Sequence, residues 1–459
     1  MRYAPLLALA VALSACNRPV QPNPVSPEAS PGNPAEHAPR TDEGAAQGET
    51  ATDGVVASPK PLETEPAPSQ KESEVRAPMR VADASNALGF DLYAKIRGGN
   101  DNLAFSPASV MAALAMTYGG ADGVTREEMA KVLYLDPNVD GASAVGKAFA
   151  ELSRKDPDGL TLRMANRLFG DAKQKFEASY LKATADAFGA PLEPMNFRGA
   201  PEPSRLSINQ WVAKQTEQKI RDLIPSGGID TETRLVLVNA VYFLGNWQVQ
   251  FEKERTYPED FHLLDGGAKK VPMMHASGHR LYGEADGVKL LELSYRDGDF
   301  AMLFVLPKAN DGLADVEAKL SPAVLAQWVG SLSGAQTEVT LPKFKIEPAH
   351  AVALGRPLRD LGMTTAFDRK EADFSRMAKP VGEDRLSIGE VFHKAFVAVD
   401  EAGTEAAAAT AVVMRTTSAA MREPEIPKVF RADHPFLFFL RHKPTGLVLF
   451  MGRVTNPEA

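Results

Sequence analysis

Residues 400–418 read Asp400-Glu-Ala-Gly-Thr-Glu-Ala-Ala-Ala-Ala-Thr-Ala-Val-Val-Met-Arg-Thr-Thr-Ser418. This stretch follows a predicted strand at residues 395–399, and the next predicted strand begins near Phe436. A connection of that length inside a compact domain is uncommon, and such connections are usually functional or disordered. This stretch is therefore the feature of the sequence that is most informative about the fold.

The composition of this connection is unusual. Residues 404–411 are nearly all small, and no proline occurs between Asp400 and Arg422, although Pro424 and Pro427 follow at once. Proline would remove a hydrogen bond from a central strand, whereas small side chains let a segment slip between existing strands. The pattern predicts a segment that is exposed now and can become a strand later. An alanine-rich surface helix fits the composition equally well.

The sequence predicts mainly helices in the first part of the domain and mainly strands in the second part. Ser106-Pro107 predicts a helix N-cap followed by proline at the first helical position, and Thr125-Arg-Glu-Glu128 predicts a capping box for the next helix. The apolar run at residues 234–243 is typical of a strand buried on both faces. This order indicates an α+β fold. Further strands are predicted at residues 290–295, 300–306, 338–341, 395–399, 436–441 and 447–451, the last two as a hairpin.

Several motifs along the chain resemble those of one known family. The segment Glu401-Ala-Gly-Thr-Glu-Ala-Ala-Ala-Ala-Thr410 resembles the hinge of an inhibitory serpin's reactive loop. Phe430-Arg-Ala-Asp-His-Pro-Phe-Leu-Phe-Phe-Leu440 is similar to the C-terminal signature of the family. The remaining matches, in the family's order, are Asn102-Leu-Ala-Phe-Ser-Pro-Ala-Ser109, Thr233-Arg-Leu-Val-Leu-Val-Asn239, Gly245-Asn-Trp247, Val271-Pro-Met-Met274 and Phe450-Met-Gly-Arg-Val-Thr-Asn-Pro457. The resemblance covers residues 81–457.

The resemblance implies a fold of three β-sheets with eight to nine helices and an exposed reactive-centre loop. It also implies a suicide-substrate inhibitor of serine proteases, with no catalytic residue of its own. The protease forms an acyl-enzyme on the loop, and the cleaved loop inserts into the central sheet and traps it. The alternative is a non-inhibitory serpin that acts as a binding or chaperone-like module. Such members tend to carry bulky, charged or proline residues in the hinge, whereas residues 406–410 here are all small and uncharged.

The resemblance also assigns roles to particular residues. The hinge and inserting strand are Glu401, Gly403, Thr404, Glu405, Ala406, Ala407, Ala408, Ala409 and Thr410. The shutter beneath the sheet is Ser106, Ser109, Asn239 and His393, with an expected Asn–His hydrogen bond. The breach, where insertion begins, is Trp247, with Lys343 pairing Glu401.

The reactive bond follows from the family's usual count of seventeen residues from Glu401. That count places it between Thr417 and Ser418, which favours elastase-like or subtilisin-like proteases. The stretch up to His434 is several residues longer than in typical serpins, so the register stays open. Cleavage after Arg415 would instead suit a trypsin-like protease.

The N-terminus has the features of a bacterial lipoprotein. Residues 1–15 predict a signal peptide, and Leu13-Ser-Ala-Cys16 resembles a lipobox that would leave lipidated Cys16 as the first mature residue. Residues 16–80 are rich in proline and predict a disordered tether, followed by the serpin-like domain at residues 81–459. Asn17 favours retention in the outer membrane. We expect an exported monomer whose only membrane contact is the lipid anchor.

Motifs for an enzyme or a cofactor are weak. Gly141-Ala-Ser-Ala-Val-Gly-Lys-Ala148 nearly spells a phosphate-binding loop, but Ala148 stands where Ser or Thr should bind magnesium, which favours a small-residue helix. His275 and His279 have the spacing of two metal ligands on a helix, but Gly278 lies between them and no glutamate completes the motif. We predict no cofactor and no metal. A net charge of −8 argues against a nucleic-acid partner.

Overall fold

The structure is a computed structural model that describes residues 80–155, 160–380, 385–404 and 426–457. Its helices are α1 (Val81–Ile96), α2 (Pro107–Gly119), α3 (Gly123–Val132), α4 (Gly141–Leu152), α5 (Ala178–Phe188), α6 (Pro201–Gln215), α7 (Leu313–Ala318), α8 (Pro322–Gly330) and α9 (Gly355–Asp360). Its strands are β1 (Leu103–Phe105), β2 (Arg154–Lys155), β3 (Thr161–Asp171), β4 (Leu192–Met195), β5 (Leu235–Asn246), β6 (Thr256–His262), β7 (Ala268–Ala285), β8 (Val288–Ser294), β9 (Phe300–Pro307), β10 (Ser333–Pro342), β11 (Phe344–Ile346), β12 (Val352–Ala353), β13 (Phe392–His393), β14 (Val397–Val399), β15 (Gly403–Thr404), β16 (Lys428–Arg431), β17 (Phe436–His442) and β18 (Leu447–Val454).

Three sheets form within the described ranges. The nine-stranded sheet runs β1-β18-β17-β9-β8-β7-β10-β16, with β6 paired to β7. The seven-stranded sheet runs β11-β14-β15-β5-β3-β2, with β4 paired to β3, and β12 and β13 form the third sheet. Three sheets and nine helices in the described part of the chain confirm the predicted fold class.

The apolar runs became the most buried strands. Every residue of β9, β17 and β18 is buried, as expected of strands covered on both faces. The predicted hairpin is confirmed, because β17 and β18 pair antiparallel from Phe436 opposite Val454 to His442 opposite Leu447. The long strand β3 was not predicted, since Arg163, Asn166 and Arg167 interrupt its apolar pattern.

Two predicted helix N-caps can be compared with the observed helix starts. The cap at Ser106 is confirmed: its hydroxyl oxygen accepts from the Ser109 backbone N–H at 3.2 Å, and Pro107 opens α2. The capping box at Thr125 is wrong, because α3 begins at Gly123 after Asp122. The Glu128 carboxylate instead accepts from the backbone N–H groups of Thr364 and Thr365. A tertiary contact outweighs the local pattern there.

The near match to a phosphate-binding loop lies in helix α4, as the helical interpretation predicted. Gly146 is required by packing, because a Cβ there would lie 2.6 Å from the Ala187 carbonyl oxygen of α5. That distance is far below ordinary contact, so the glycine allows α4 and α5 to approach closely. The motif is explained by helix packing.

Candidate functional site

The loop that follows β14 turns back sharply and enters the seven-stranded sheet. The Asp400 carboxylate accepts from the backbone N–H of Ala402 at 2.8 Å and from that of Gly403 at 3.2 Å. The Asp400 N–H donates to the Gly403 carbonyl at 3.0 Å and closes the turn. An aspartate that bonds to the backbone two residues on favours such a turn. Asp400 therefore directs the chain back along β14.

The two hinge residues already form a short strand, β15, between β14 and β5. Thr404 lies opposite Val399 on β14 and opposite Gly245 on β5, while Gly403 lies opposite Asn246. A Cβ at residue 403 would overlap the Gly245 carbonyl oxygen. Only glycine allows the loop to approach β5 so closely.

A buried aromatic pair holds the hinge at this end of the sheet. The Tyr295 hydroxyl and the Thr404 hydroxyl are 2.6 Å apart, and the Tyr295 ring stacks on Trp247 with centroids 4.6 Å apart. Trp247 also donates to the loop, from its ring N–H to the Asp400 carbonyl at 3.0 Å and from its backbone N–H to the Ala402 carbonyl at 2.9 Å. The predicted breach residue therefore contacts the base of the loop directly.

The expected charge pair is present at the same place. Lys343 Nζ lies 2.9 Å from the Glu401 carboxylate, whose side chain is 8% exposed. Burial alone would raise the pKa of Glu401, but the hydrogen bond and the charge of Lys343 hold that pKa below its usual value. Glu401 is therefore ionised at neutral pH and fixes the start of the hinge.

Next to β15, one edge of β5 is left unpaired by the described residues. Residues 235–244 of β5 pair with β3 on one edge, and no described residue pairs with their other edge. A cavity of about 880 Å³ lies along that edge, lined by α2, by β5 and by residues 385–394 of the segment that leads to β14. Unpaired backbone groups inside a domain are costly, so the edge is suited to accept another strand.

The four predicted shutter residues all lie at this cavity or beside it. Ser109, Asn239 and His393 line it, and the Ser106 N–H donates to His393 Nε2 at 3.0 Å. The Ser106 hydroxyl donates to the Leu449 carbonyl at 2.6 Å and ties α2 to β18.

The hydrogen bond expected between Asn239 and His393 is absent. Asn239 Nδ2 donates instead to Asn166 Oδ1 on β3 at 2.6 Å, and Asn239 Oδ1 is buried without a partner. His393 lies on β13, which pairs with β12 and not with β5, so the two side chains line the cavity from different sheets. Burial lowers the pKa of His393 to about 4, so its ring is neutral at physiological pH.

Comparison with known proteins identifies this arrangement. The family model described as Serpin (serine protease inhibitor) matches residues 83–457. The chain belongs to the serpin family. It is 41% identical over 380 residues to an uncharacterised serpin-like protein of Thermococcus kodakarensis, covering 82% of this chain and 86% of that protein.

Two further serpins are similar along the same stretch. Leukocyte elastase inhibitor A of Rattus norvegicus is 39% identical over 388 residues, which cover 82% of this chain and all of that protein. The crystal structure of uncleaved ovalbumin is 30% identical with a TM-score of 0.73, covering 83% of this chain and all of that one. Both support the same domain fold.

Several predicted serpin residues fall outside the described ranges. They are the inserting strand Glu405, Ala406, Ala407, Ala408, Ala409 and Thr410, the candidate cleavage residues Arg415, Thr417 and Ser418, and the lipidation residue Cys16. Their roles stay predictions. No helix in the described ranges is both long and apolar enough to cross a membrane.

The two histidines considered as metal ligands are placed differently from a helical pair. His275 and His279 both lie on strand β7, where residues four apart are far from each other. His275 Nε2 lies 3.1 Å from the Glu259 carboxylate, and Glu259 also pairs with Arg431 of β16. Within the described residues no group of three or more His, Cys, Asp or Glu side chains could hold a metal ion.

Sequence reasoning missed two residues of this serpin site. Tyr295 was predicted only as the end of a strand, and its contact with Thr404 joins positions 109 residues apart. Asp400 was included in the quoted loop without a role, although an aspartate before Glu-Ala-Gly is a recognisable turn signal. The latter could have been found from the sequence.

Proposed function

We propose that this serpin inhibits serine proteases as a suicide substrate. The observation that carries the proposal is the hinge, because Gly403 and Thr404 form β15 next to the edge of β5 that no described residue pairs with. Gly403 and Thr404 already pair with β5, and Thr404 also pairs with β14, so insertion would continue a strand that has already begun. A relative named for the inhibition of leukocyte elastase adds support.

The reaction begins as ordinary proteolysis. The serine oxygen of the protease attacks the carbonyl carbon of the reactive-bond residue, proposed as Thr417, and the bond to the Ser418 nitrogen breaks. Ser418 leaves with a new amino terminus, and residue 417 stays joined to the protease as an ester. The freed strand then inserts beside β5 and carries the protease with it before water can hydrolyse the ester.

The target class follows from the bond. A bond at Thr417–Ser418 suits elastase-like or subtilisin-like proteases, because threonine needs only a small specificity pocket. Cleavage after Arg415 would direct the inhibitor to trypsin-like enzymes.

We also propose that lipidation of Cys16 anchors the protein to the outer membrane, with residues 16–80 as a spacer. Substituting Cys16 by serine should release the protein from the membrane fraction.

One experiment tests the inhibitory function and the bond together. The purified protein is mixed separately with elastase, subtilisin, chymotrypsin and trypsin, and each mixture is analysed on denaturing gels and by mass spectrometry. The proposal predicts a complex that survives denaturant and a released C-terminal peptide beginning at Ser418. A peptide beginning at Thr416 would move the bond to Arg415. Cleavage without any complex would contradict inhibition and favour the non-inhibitory binding module.

A further inference from the structure

One carboxylate on β6 is shared by two basic side chains that belong to different strands. The Glu259 carboxylate lies 2.6 Å from a guanidinium nitrogen of Arg431 on β16 and 3.1 Å from His275 Nε2 on β7. The side chains of Glu259 and His275 are only 19% and 15% exposed. A single carboxylate can compensate one buried positive charge fully, but not two. The protonation state of His275 therefore decides whether Arg431 keeps this partner to itself.

The His275 ring is held in one position by its neighbours. It stacks on the Tyr257 ring of β6 with the centroids 4.4 Å apart and the planes 8° apart. On its other side, His275 Nδ1 lies 3.3 Å from the Thr340 hydroxyl of β10. A ring fixed in this way cannot turn out to water when it gains a charge, so the charge must be accommodated where the ring lies.

The surroundings of His275 oppose that charge. Burial is the main reason that the pKa of His275 lies below its ordinary value of 6.5. The Glu259 carboxylate acts against this shift, whereas the positive charges of Arg431 and Arg255 add to it. These are the charged groups that face the ring from β6, from β16 and from the turn before β6. The ring is therefore neutral at neutral pH, and acidification adds a second positive charge beside Arg431.

Arg431 is important because β16 is weakly attached. This strand lies at the end of its sheet and pairs with β10 only over residues 428–431. Arg431 joins it to β6 through Glu259, and Lys289 of β8 donates to the Val429 carbonyl at 3.1 Å. Strand β16 is also the first described strand after the proposed reactive bond. It therefore holds the end of the loop opposite the hinge.

We propose that His275 is an acid-sensitive switch for β16: the protonated ring draws the Glu259 carboxylate away from Arg431 and loosens the strand. The proposal rests on the inhibitory function proposed above, because a loosened β16 would let the uncut loop extend β15 along the free edge of β5. An inhibitor whose loop is already in the sheet offers no bait to a protease. The protein then inhibits at neutral pH and inactivates itself in mildly acidic surroundings.

Hydrogen–deuterium exchange of β16 tests the switch directly. Exchange of peptides covering residues 426–434 is measured at pH 7.5 and 5.5, each relative to residues 436–442 of β17. In the wild type we expect relative exchange to be about fivefold faster at pH 5.5, the size expected for the loss of one partly exposed ion pair. His275→Gln cannot gain a charge and should show no such change, whereas His279→Gln, an exposed position of the same strand, should behave like the wild type. Arg431→Gln should exchange rapidly at both pH values.

The second readout is the lifetime of inhibitory activity, with samples stored at either pH and assayed at pH 7.5. The half-life of the wild type should be about fivefold shorter at pH 5.5 than that of His275→Gln at the same pH. The acid effect of His393 is common to both proteins, so their difference measures His275 alone.

Equal pH dependence of β16 exchange in wild type and His275→Gln would overturn the inference, and the proposed function would stand as long as denaturant-resistant complexes still form. If β16 exchange follows His275 but no protease is trapped at either pH, the switch is confirmed and the proposed function fails. If exchange follows His275 while the two half-lives are equal, the role of the switch in self-inactivation is overturned.

Discussion

The hydroxyl oxygens of Tyr295 and Thr404 lie 2.6 Å apart in a fully buried contact at one end of the seven-stranded sheet. Tyr295 is fixed in turn by stacking on Trp247 and by an edge-to-face contact with Phe243. The first residues of the hinge are therefore part of the sheet before any cleavage. Insertion would extend an existing strand, which avoids the cost of starting a new one.

Replacing Thr404 by arginine should turn the inhibitor into a substrate. Thr404 is 3% exposed between β5 and β14, and a long charged side chain cannot be buried there without a partner. We expect the loop still to be cleaved, with the yield of trapped protease reduced at least tenfold on denaturing gels. Thr404→Ser, which keeps the hydroxyl, is the matched control and should trap normally. Unchanged trapping by Thr404→Arg would show that the hinge need not enter the sheet.

Gly403→Ala should displace the hinge strand β15 from its position beside β5. The added methyl group would overlap the Gly245 carbonyl oxygen, so β15 must separate from β5. We expect faster limited proteolysis near residues 403–404 and a loss of stability of about 1–3 kcal/mol in urea unfolding. Gly98→Ala is the control, because nothing lies within 4 Å of a Cβ at that position. Equal behaviour of the two variants would contradict the close approach.

Glu401→Gln should weaken the base of the loop at neutral pH. The change leaves Lys343 without its carboxylate partner, and we expect a loss of about 1–3 kcal/mol. The pKa of Glu401 is lower in the folded state, so its contribution is complete above the unfolded pKa and is lost as pH falls through the folded pKa. Wild type and variant should therefore converge as the pH falls below the ordinary pKa of glutamate and through the lower folded pKa. Glu347→Gln in the exposed pair with Lys345 is the control and should change stability by less than about 0.5 kcal/mol.

Stability should fall on acidification because of His393. Its folded pKa of about 4 lies below the unfolded value of 6.5, so the unfolded chain binds the proton first. The contribution of the neutral His393 ring to the free energy of unfolding is complete above pH 6.5. It is lost as the pH falls towards 4, and the loss amounts to up to about 3 kcal/mol. Urea unfolding between pH 7.5 and 4.5 measures this slope. The slope should be smaller in His393→Asn, and an identical slope would exclude His393 as its source.

The parts of the fold that could be predicted were those encoded locally. The apolar runs at β5, β9, β17 and β18 were found because strands buried on both faces leave an uninterrupted pattern. Strand β3 was missed because its polar residues have partners elsewhere, such as the contact of Arg167 with Glu193 on β4. No local pattern reveals such a partner.

The contacts of the candidate site were also predicted only in part. The pairing of Lys343 with Glu401 was expected from the family motifs, and the structure contains it. The expected bond between Asn239 and His393 is absent, because Asn239 donates to Asn166 on β3 and His393 lies on β13, which pairs with β12. The family motifs identify the residues, but their hydrogen-bond partners depend on which strands become neighbours in the fold.

The central claim is that the cleaved loop fills the free edge of β5, and hydrogen–deuterium exchange tests it most directly. Exchange is measured on peptides that cover residues 235–244 before and after cleavage of the loop, with residues 436–442 of β17 as an internal control. We predict strong new protection of residues 235–244 after cleavage and no change in β17, because a new strand would pair with the free edge. Unchanged exchange at residues 235–244 would show that the loop does not insert, and would contradict this mechanism.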